Sequence, residues 1–151
     1  MEIFSISPAS AKPLWWIAII TVVLTCLLAI LIYTGYSARH SRVELESDKL
    51  RVVGDLWGRT IPLESIEISE ARILNLDRQS EYSPQWRTLG TSLPGYSAGW
   101  FKLRNGSKAL VYLTRRDRLV YLPTSLNYSL LLSLEKPEKF IETLQKKTAS
   151  S

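Results

Sequence analysis

Residues 100–114, which read WFKLRNGSKALVYLT, decide the fold of this chain. Asn105-Gly106 lies between two strand-like runs, and this dipeptide is typical of a two-residue type I′ hairpin because both turn residues need positive φ. In that register one face carries four apolar side chains, namely Phe101, Leu103, Leu110 and Tyr112. The other face carries Trp100, Lys102 and Arg104. The stretch therefore predicts two paired antiparallel strands with one apolar face.

The chain beyond the hairpin continues the β pattern and then changes its period. Residues 115–117 are predicted to form a turn, residues 119–122 a strand, and residues 128–133 a last strand. A proline then opens a predicted helix over residues 137–147, since proline suits the first helical turn.

Short alternating runs precede the hairpin. They predict strands at residues 42–45, 50–53 and 56–61, and a fourth, longer strand at 66–76. Residues 77–95 break this rhythm with two prolines and two glycines, and they are predicted to form the longest loop of the domain. Trp86 and Leu89 indicate that part of this loop packs against the domain.

An uncharged stretch of chain precedes all of these strands. No charged residue occurs between Lys12 and Arg39, and residues 14–33 read LWWIAIITVVLTCLLAILIY. These twenty residues would form a helix of about 30 Å, the thickness of the hydrocarbon core of a bilayer. Aromatic rings, which settle at the headgroups, mark both ends: Trp15 and Trp16 at one, Tyr33 and Tyr36 at the other. Residues 14–36 are therefore predicted to form a single transmembrane helix.

A cleaved signal peptide is the main alternative to a permanent anchor. The apolar part of a signal peptide is about 7–15 residues long and ends at a small-residue cleavage site. The apolar run here is longer, and Gly35-Tyr36-Ser37 is a poor cleavage site, so the sequence favours an anchor. Lys12 flanks the run on one side and Arg39 and Arg42 on the other, which favours a cytoplasmic C-terminal domain at an inner or plasma membrane.

A stripe of small side chains runs along one side of the predicted membrane helix. It consists of Ala18, Thr21, Thr25 and Ala29. Such stripes let two helices approach closely, although they also arise by chance in spans rich in Ala and Thr. The stripe leaves open a partner helix, and with it a homo-oligomer.

The net charge of +5 is unevenly distributed along the chain. Residues 42–81 hold six basic and nine acidic residues, a balance of −3, whereas residues 94–118 hold six basic residues and one acidic residue, a balance of +5. The candidate surface for anionic lipid or an acidic partner consists of Lys102, Arg104, Arg115, Arg116 and Arg118. The three arginines are the favoured cluster because they occur within four residues. A solvated polar face is the alternative.

Several short strings give the chain a family resemblance. They are GRTIPLESI (58–66), LPGY (93–96), GWFKLRNGSKAL (99–110), VYLPT (120–124) and PEKF (137–140). In these strings residues 42–147 resemble the bacterial pleckstrin-homology-like (PH-like) domains found on small membrane proteins. The resemblance implies a mainly β fold, a seven-stranded bent barrel capped by a C-terminal helix, and a binding or scaffold role.

Two positions depart from that resemblance. Phosphoinositide-binding relatives carry several bases in the loop between the first two strands, whereas this loop reads Glu46-Ser47-Asp48-Lys49. No phosphoinositide site is therefore carried over. Lys136 precedes the predicted C-terminal helix, where Asp or Ser would be a better cap.

Residues capable of catalysis are sparse. The chain has one His, His40, and one Cys, Cys26, which lies in the apolar run, so neither a four-ligand zinc site nor a Cys–His pair is available. There is no P-loop and no G-x-G-x-x-G string. We therefore expect no enzyme activity, no cofactor, no metal, no small-molecule substrate and no nucleic-acid partner.

The predicted organisation combines a membrane anchor with one small domain. Its parts are an N-terminal flank at 1–13, a transmembrane helix at 14–36, a juxtamembrane linker at 37–41, a PH-like domain at 42–147 and a tail at 148–151. The expected function is a membrane-anchored, non-catalytic binding or scaffold module that has a protein partner close to the bilayer. The alternative is an accessory subunit that associates through its transmembrane helix.

Overall fold

The structure, a computed structural model, describes residues 12–54 and 56–150, except for the side chains of residues 37–39. Most of the predicted N-terminal flank and the last residue of the predicted tail therefore lie outside the described residues. The chain divides into two compact units, which meet between Arg39 and His40.

Helix α1 forms the first unit and runs from Lys12 to His40, beyond the predicted span at both ends. Its segment Lys12–Tyr36 is long and apolar enough to cross a bilayer, and its large apolar side chains are exposed. The threonines fit such a segment because each hydroxyl bonds one turn back. Thr21 Oγ1 donates to Ile17 O and Thr25 Oγ1 donates to Thr21 O, each at 2.8 Å.

The second unit contains nine strands and one α-helix in its described residues. The strands are β1 (Arg42–Leu45), β2 (Lys49–Val53), β3 (Arg59–Pro62), β4 (Arg72–Leu74), β5 (Pro84–Leu93), β6 (Tyr96–Leu103), β7 (Lys108–Leu113), β8 (Leu119–Pro123) and β9 (Ser129–Leu132). Helix α2 runs from Pro137 to Ala149. The prediction of a mainly β domain ending in a helix is confirmed. The number of strands in the described residues is nine, whereas the resemblance implies seven.

The nine strands form two sheets. The smaller sheet has the order β1-β2-β3, and the larger sheet has the order β4-β8-β9-β7-β6-β5. In the larger sheet β7 and β9 are parallel, and all other neighbours are antiparallel. The last strand in chain order, β9, therefore lies between β7 and β8, and β5 lies at an edge.

Apolar side chains cover both faces of the central strands. One face carries a buried cluster made of Leu74, Leu76, Phe101, Leu103, Ala109, Val111, Leu113, Leu119, Tyr121 and Leu131. On the other face Leu110 and Leu130 are fully buried, as are Leu50 and Ile61 of the smaller sheet. Because both faces are covered, β7, β8 and β9 are nearly continuous apolar runs with little alternation.

The hairpin between β6 and β7 has a different turn from the predicted one. Gly106 has a φ of 86°, but Asn105 does not have a positive φ. The loop contains three residues, since Leu103 N donates to Ser107 O at 2.8 Å and Gly106 N donates to Leu103 O at 3.0 Å. This arrangement is typical of a type I turn followed by one left-handed glycine, so the predicted type I′ turn is wrong.

The third loop residue also changes which side chains share a face. Side chains alternate between the faces of a sheet, so a shift of one residue in one strand exchanges every cross-strand neighbour. Phe101 pairs with Ala109, and Trp100 pairs with Leu110. The predicted grouping of Phe101 with Leu110 is therefore wrong, because Phe101 and Leu103 lie on the face that carries Ala109 and Val111.

Residues 66–76 do not form one long strand as predicted. One 3₁₀ turn at Leu63–Ser65 precedes them, a second at Ile68–Glu70 interrupts them, and only β4 is a strand. The apolar residues of this segment therefore do not line one face of a single strand but make contacts in different places. Ile66, for example, forms an isolated bridge with Thr124 at the end of β8.

Residues 84–93 form β5 instead of part of a long loop. This strand pairs with β6, with two irregularities of register in its first half. Trp86 and Leu89 are 69% and 56% exposed, so their predicted inward packing is wrong. An exposed edge strand does not need alternating polarity, which is why its sequence resembled a loop.

Helix α2 closes the domain at its C-terminal end. It begins at Pro137, and Lys136 supplies no side-chain cap, as the sequence indicates. Leu144 is fully buried. Lys147 Nζ donates to Leu45 O and to Glu46 O, each at 3.0 Å, which ties the last turns of α2 to the connection between β1 and β2.

Candidate interaction surfaces

The arginines favoured by the sequence lie in the turn between β7 and β8, residues 114–118, which we call the arginine turn. Arg115 pairs with Asp117 through two bonds, Nε to Oδ1 at 3.1 Å and Nη2 to Oδ2 at 2.8 Å. This hydrogen-bonded guanidinium holds the pKa of the Asp117 carboxyl below its usual value. Both side chains are exposed, so the pair orders the turn more than it stabilises the domain.

The other two arginines of the turn also have carboxylate partners. Arg116 Nε lies 3.4 Å from Asp77 Oδ1, and Arg118 pairs with Glu138 in the first turn of α2. Three bases of the arginine turn thus face three carboxylates. The positive charge that the sequence indicates at this turn is largely compensated within the domain.

Ser133, just after β9, holds the backbone of the arginine turn in place. Its Oγ accepts hydrogen bonds from Thr114 N at 3.1 Å and Arg115 N at 3.2 Å, and it donates to Arg115 O at 3.2 Å. Sequence reasoning missed this residue because a single serine after an apolar strand has no distinguishing signal.

The remaining predicted bases lie around the hairpin between β6 and β7. Lys102 and Lys108 are paired directly across the two strands. Lys108 Nζ lies 4.5 Å from the centre of the Trp100 ring, and the Arg59 guanidinium carbon lies 5.8 Å from the same centre. Cations at these distances are attracted by the face of the indole ring. We call Lys102, Arg104 and Lys108 the hairpin patch.

The hairpin patch lacks the carboxylates that the arginine turn has. Within residues 12–54 and 56–150, neither Lys102, Arg104 nor Lys108 forms an ion pair. Like charges directly opposite each other destabilise a pair of strands. Trp86 of β5 pairs with Lys102 from the other side and is largely exposed. The patch therefore combines uncompensated positive charge with an exposed aromatic ring.

The loop between β1 and β2 offers no comparable group of bases. Its base, Lys49, pairs with Glu46 at 3.1 Å, and the hydrogen bond to this carboxylate raises the pKa of Lys49. In the part of the chain that the structure describes, no group of three or more His, Cys, Asp or Glu residues could hold a metal ion.

The predicted residues of α1 occupy two kinds of position. The stripe lies on one side, since at 100° per residue its members fall within about 80° of arc; they are Ala18, Thr21, Thr25 and Ala29. The aromatic anchors are exposed, and the centres of their two groups are about 28 Å apart along the axis; they are Trp15, Trp16, Tyr33 and Tyr36. Helix contact and headgroup anchoring by these residues remain predictions.

Two sheets and a closing C-terminal helix make the second unit a small, mainly β domain. The family model described as "Bacterial PH domain" matches residues 41–148. This chain therefore belongs to the bacterial PH domain family, and the resemblance found in its short strings is confirmed. Comparison with curated proteins and with solved structures finds no match. PH domains are in general non-catalytic modules that bind proteins or lipids.

Proposed function

We propose that this protein is a single-pass membrane protein whose PH domain acts as a non-catalytic binding module next to the bilayer. The main support for this proposal is that the segment Lys12–Tyr36 is long and apolar enough to span a membrane. The family match begins at residue 41, directly after α1, so the domain is tethered by a very short connection. The aromatic anchors at both ends of the segment support a spanning helix.

The anchor is tested by extraction of membranes with alkaline carbonate. The full chain is expected to remain in the membrane pellet. Leu24→Lys with Leu28→Lys places two charges near the middle of the span, each costing about 3 kcal/mol there, and should move the chain to the soluble fraction. Leu24→Ile with Leu28→Ile is the matched control. Release of the unmodified chain by carbonate would overturn the proposal.

We also propose that the PH domain faces the cytoplasm at the inner or plasma membrane, because more bases flank the span on the domain side. In a Cys26→Ser background, a single cysteine is introduced as Ser80→Cys, at an exposed position of the domain. A membrane-impermeant maleimide should label this cysteine only after the cells are opened. Labelling in intact cells would place the domain outside.

We propose that the hairpin patch binds an anionic surface, and that lipid headgroups form this surface. Each Lys or Arg close to an anionic leaflet contributes about 1 kcal/mol, and this attraction falls off over about 8 Å at physiological salt. The arginine turn lies at the other end of β7, about 20 Å away, so when β7 stands upright on the bilayer only one of the two regions reaches the headgroups. The uncompensated charge of the hairpin patch favours that end.

An accessory subunit that associates through α1 is the second candidate function. The observation that favours it is the stripe of small residues, since the hydroxyls of Thr21 and Thr25 bond to their own helix and leave a narrow face. Replacing residues 14–36 by an unrelated span should then abolish recovery of a partner from native membranes. Recovery that survives the replacement would assign partner binding to the PH domain.

A further inference from the structure

The outer edge of β5 is unprotected over half of its length. β5 is the last strand of the larger sheet, and natural proteins defend such edges with charges, prolines or bulges. The first half of β5 has these defences, with Pro84, Arg87 and two irregularities of register. Residues 89–93 pair regularly with β6 and contain neither a charged residue nor a proline. Only this second half is therefore open to another strand.

The backbone groups on that outer edge follow from the pairing with β6. Leu93 pairs with Tyr96 across a two-residue turn, so the backbone groups of Leu93 face β6. In an antiparallel strand the direction alternates from residue to residue, so Thr91 also faces β6. Gly90 and Ser92 then direct their N–H and C=O groups away from the sheet, where a further strand would bind them.

Residues 89–93 read LGTSL, with leucine at both ends and threonine in the middle, so the alternate positions 89, 91 and 93 are the same in both directions. If two copies pair antiparallel about Thr91, Leu89 of one copy meets Leu93 of the other, and Gly90 meets Ser92. Leu89 and Leu93 are 56% and 37% exposed, so this pairing would cover apolar surface. Because the stretch carries no charge, two identical strands meet without repulsion.

We infer that the outer edge of β5 is a dimerisation surface on which a second copy of this chain adds its own β5. The two strands run antiparallel about a two-fold axis at Thr91 and join the two larger sheets into one. A second copy of the chain fits this edge, because in this register alone Leu89 faces Leu93 and Thr91 faces Thr91. The surface lies within the PH domain, so it does not depend on whether α1 spans a membrane.

Disulfide trapping tests the register directly on the full chain in detergent, in a Cys26→Ser background. In the proposed dimer Thr91 faces Thr91 of the second copy, with Cα atoms about 4.5 Å apart, within the range of a disulfide. Thr91→Cys should therefore give a covalent dimer on oxidation. Ser92→Cys, the adjacent control, faces Gly90 and should stay monomeric on a non-reducing gel. No dimer from Thr91→Cys, or equal dimer from both variants, would overturn the inference.

A charge exchange tests the same register without cysteines. Leu89→Lys with Leu93→Lys places like charges opposite each other and should weaken the dimer at least about tenfold in sedimentation. Leu89→Lys with Leu93→Glu places opposite charges together and should keep the dimer. The melting temperatures of both variants are compared first, because both change the same exposed positions. Equal dissociation by the two folded variants would also overturn the inference.

Discussion

The arginine turn and the hairpin patch lie at opposite ends of β7, and each contains three bases. In the arginine turn every base faces a carboxylate, and Ser133 fixes the backbone. In the hairpin patch two lysines oppose each other beside the ring of Trp100. A count of charges along the sequence therefore does not give the charge that is available to a partner. Available charge is what the fold leaves uncompensated.

Removal of the hairpin patch is expected to have the largest effect. The variant is Lys102→Ser with Arg104→Ser and Lys108→Ser, made in residues 40–151, which form a compact unit. Three cations near an anionic surface contribute about 3 kcal/mol, so affinity for vesicles rich in anionic lipid should fall about 100-fold. Co-sedimentation with vesicles at increasing salt measures this loss, and binding should also weaken as salt rises.

The arginine turn supplies a control with the same change of charge. Arg115→Ser with Arg116→Ser and Arg118→Ser should change vesicle affinity by less than about threefold, since those charges already face carboxylates. A larger loss of affinity here than in the hairpin-patch variant would show that the arginine turn binds the lipid, as predicted from the sequence. If neither variant binds less than the unmodified domain, both regions are solvated faces.

Gly106→Val tests the turn at the hairpin end of β7 and is expected to lower the free energy of unfolding by about 1–3 kcal/mol. No atom lies within 4 Å of a Cβ built at Gly106, so the loss comes from its φ of 86° and not from crowding. Urea unfolding of the domain measures it. Asn105→Ala is the control and should have a smaller effect, because it removes only the bonds from Ser107 N and Oγ. An unchanged midpoint for Gly106→Val would refute the proposed turn.

Ser133→Ala tests the other end of β7. It removes three hydrogen bonds to the backbone of the arginine turn, so the free energy of unfolding should fall by about 1 kcal/mol. Ser47→Ala, at an exposed position between β1 and β2, should leave stability unchanged. Equal melting temperatures for the two variants would show that Ser133 does not hold the turn.

The smallest expected effect concerns pH. The pKa of Asp117 is lowered from 3.8 by its hydrogen bond to Arg115, so the pair contributes stability at neutral pH that is lost as pH falls through the lowered value. NMR titration of the Asp117 carboxyl should show this lowered pKa, and Arg115→Ser should bring it back towards 3.8. The hairpin patch contains no carboxylate, so its triple variant should leave the titration of Asp117 unchanged. A pKa at or above 3.8 in the unmodified domain would contradict the ion pair.

Local patterns predicted much of the fold. The strands at 42–45 and 119–122 and the helix at 137–147 correspond to β1, β8 and α2, because each has its own periodicity and a turn residue or proline at its boundary. Two features of the sheet were not predictable in this way. β5 is an exposed edge with no alternation to detect, and the register of β6 and β7 depends on a third loop residue that the Asn-Gly signal does not reveal.

The candidate surfaces were half predictable. The sequence locates the bases, since each cluster lies next to a recognisable turn. It does not locate their partners, because Asp77 and Glu138 are distant in sequence from Arg116 and Arg118 and are brought near only by the fold. The uncompensated state of the hairpin patch depends on the same three-dimensional arrangement.

The position of β9 has a consequence for how the domain folds. Without β9 the larger sheet would separate into the pair β4–β8 and the meander β5–β6–β7, which have no other shared ladder. The meander can form early from local contacts, whereas the pair β4–β8 joins residues 45 to 49 positions apart in the sequence, such as Leu74 and Leu119. The two halves are joined only when β9 inserts between them and pairs in parallel with β7. Substitutions in β9 should accordingly raise the barrier of the final, cooperative step, and hydrogen exchange should show both halves gaining full protection together.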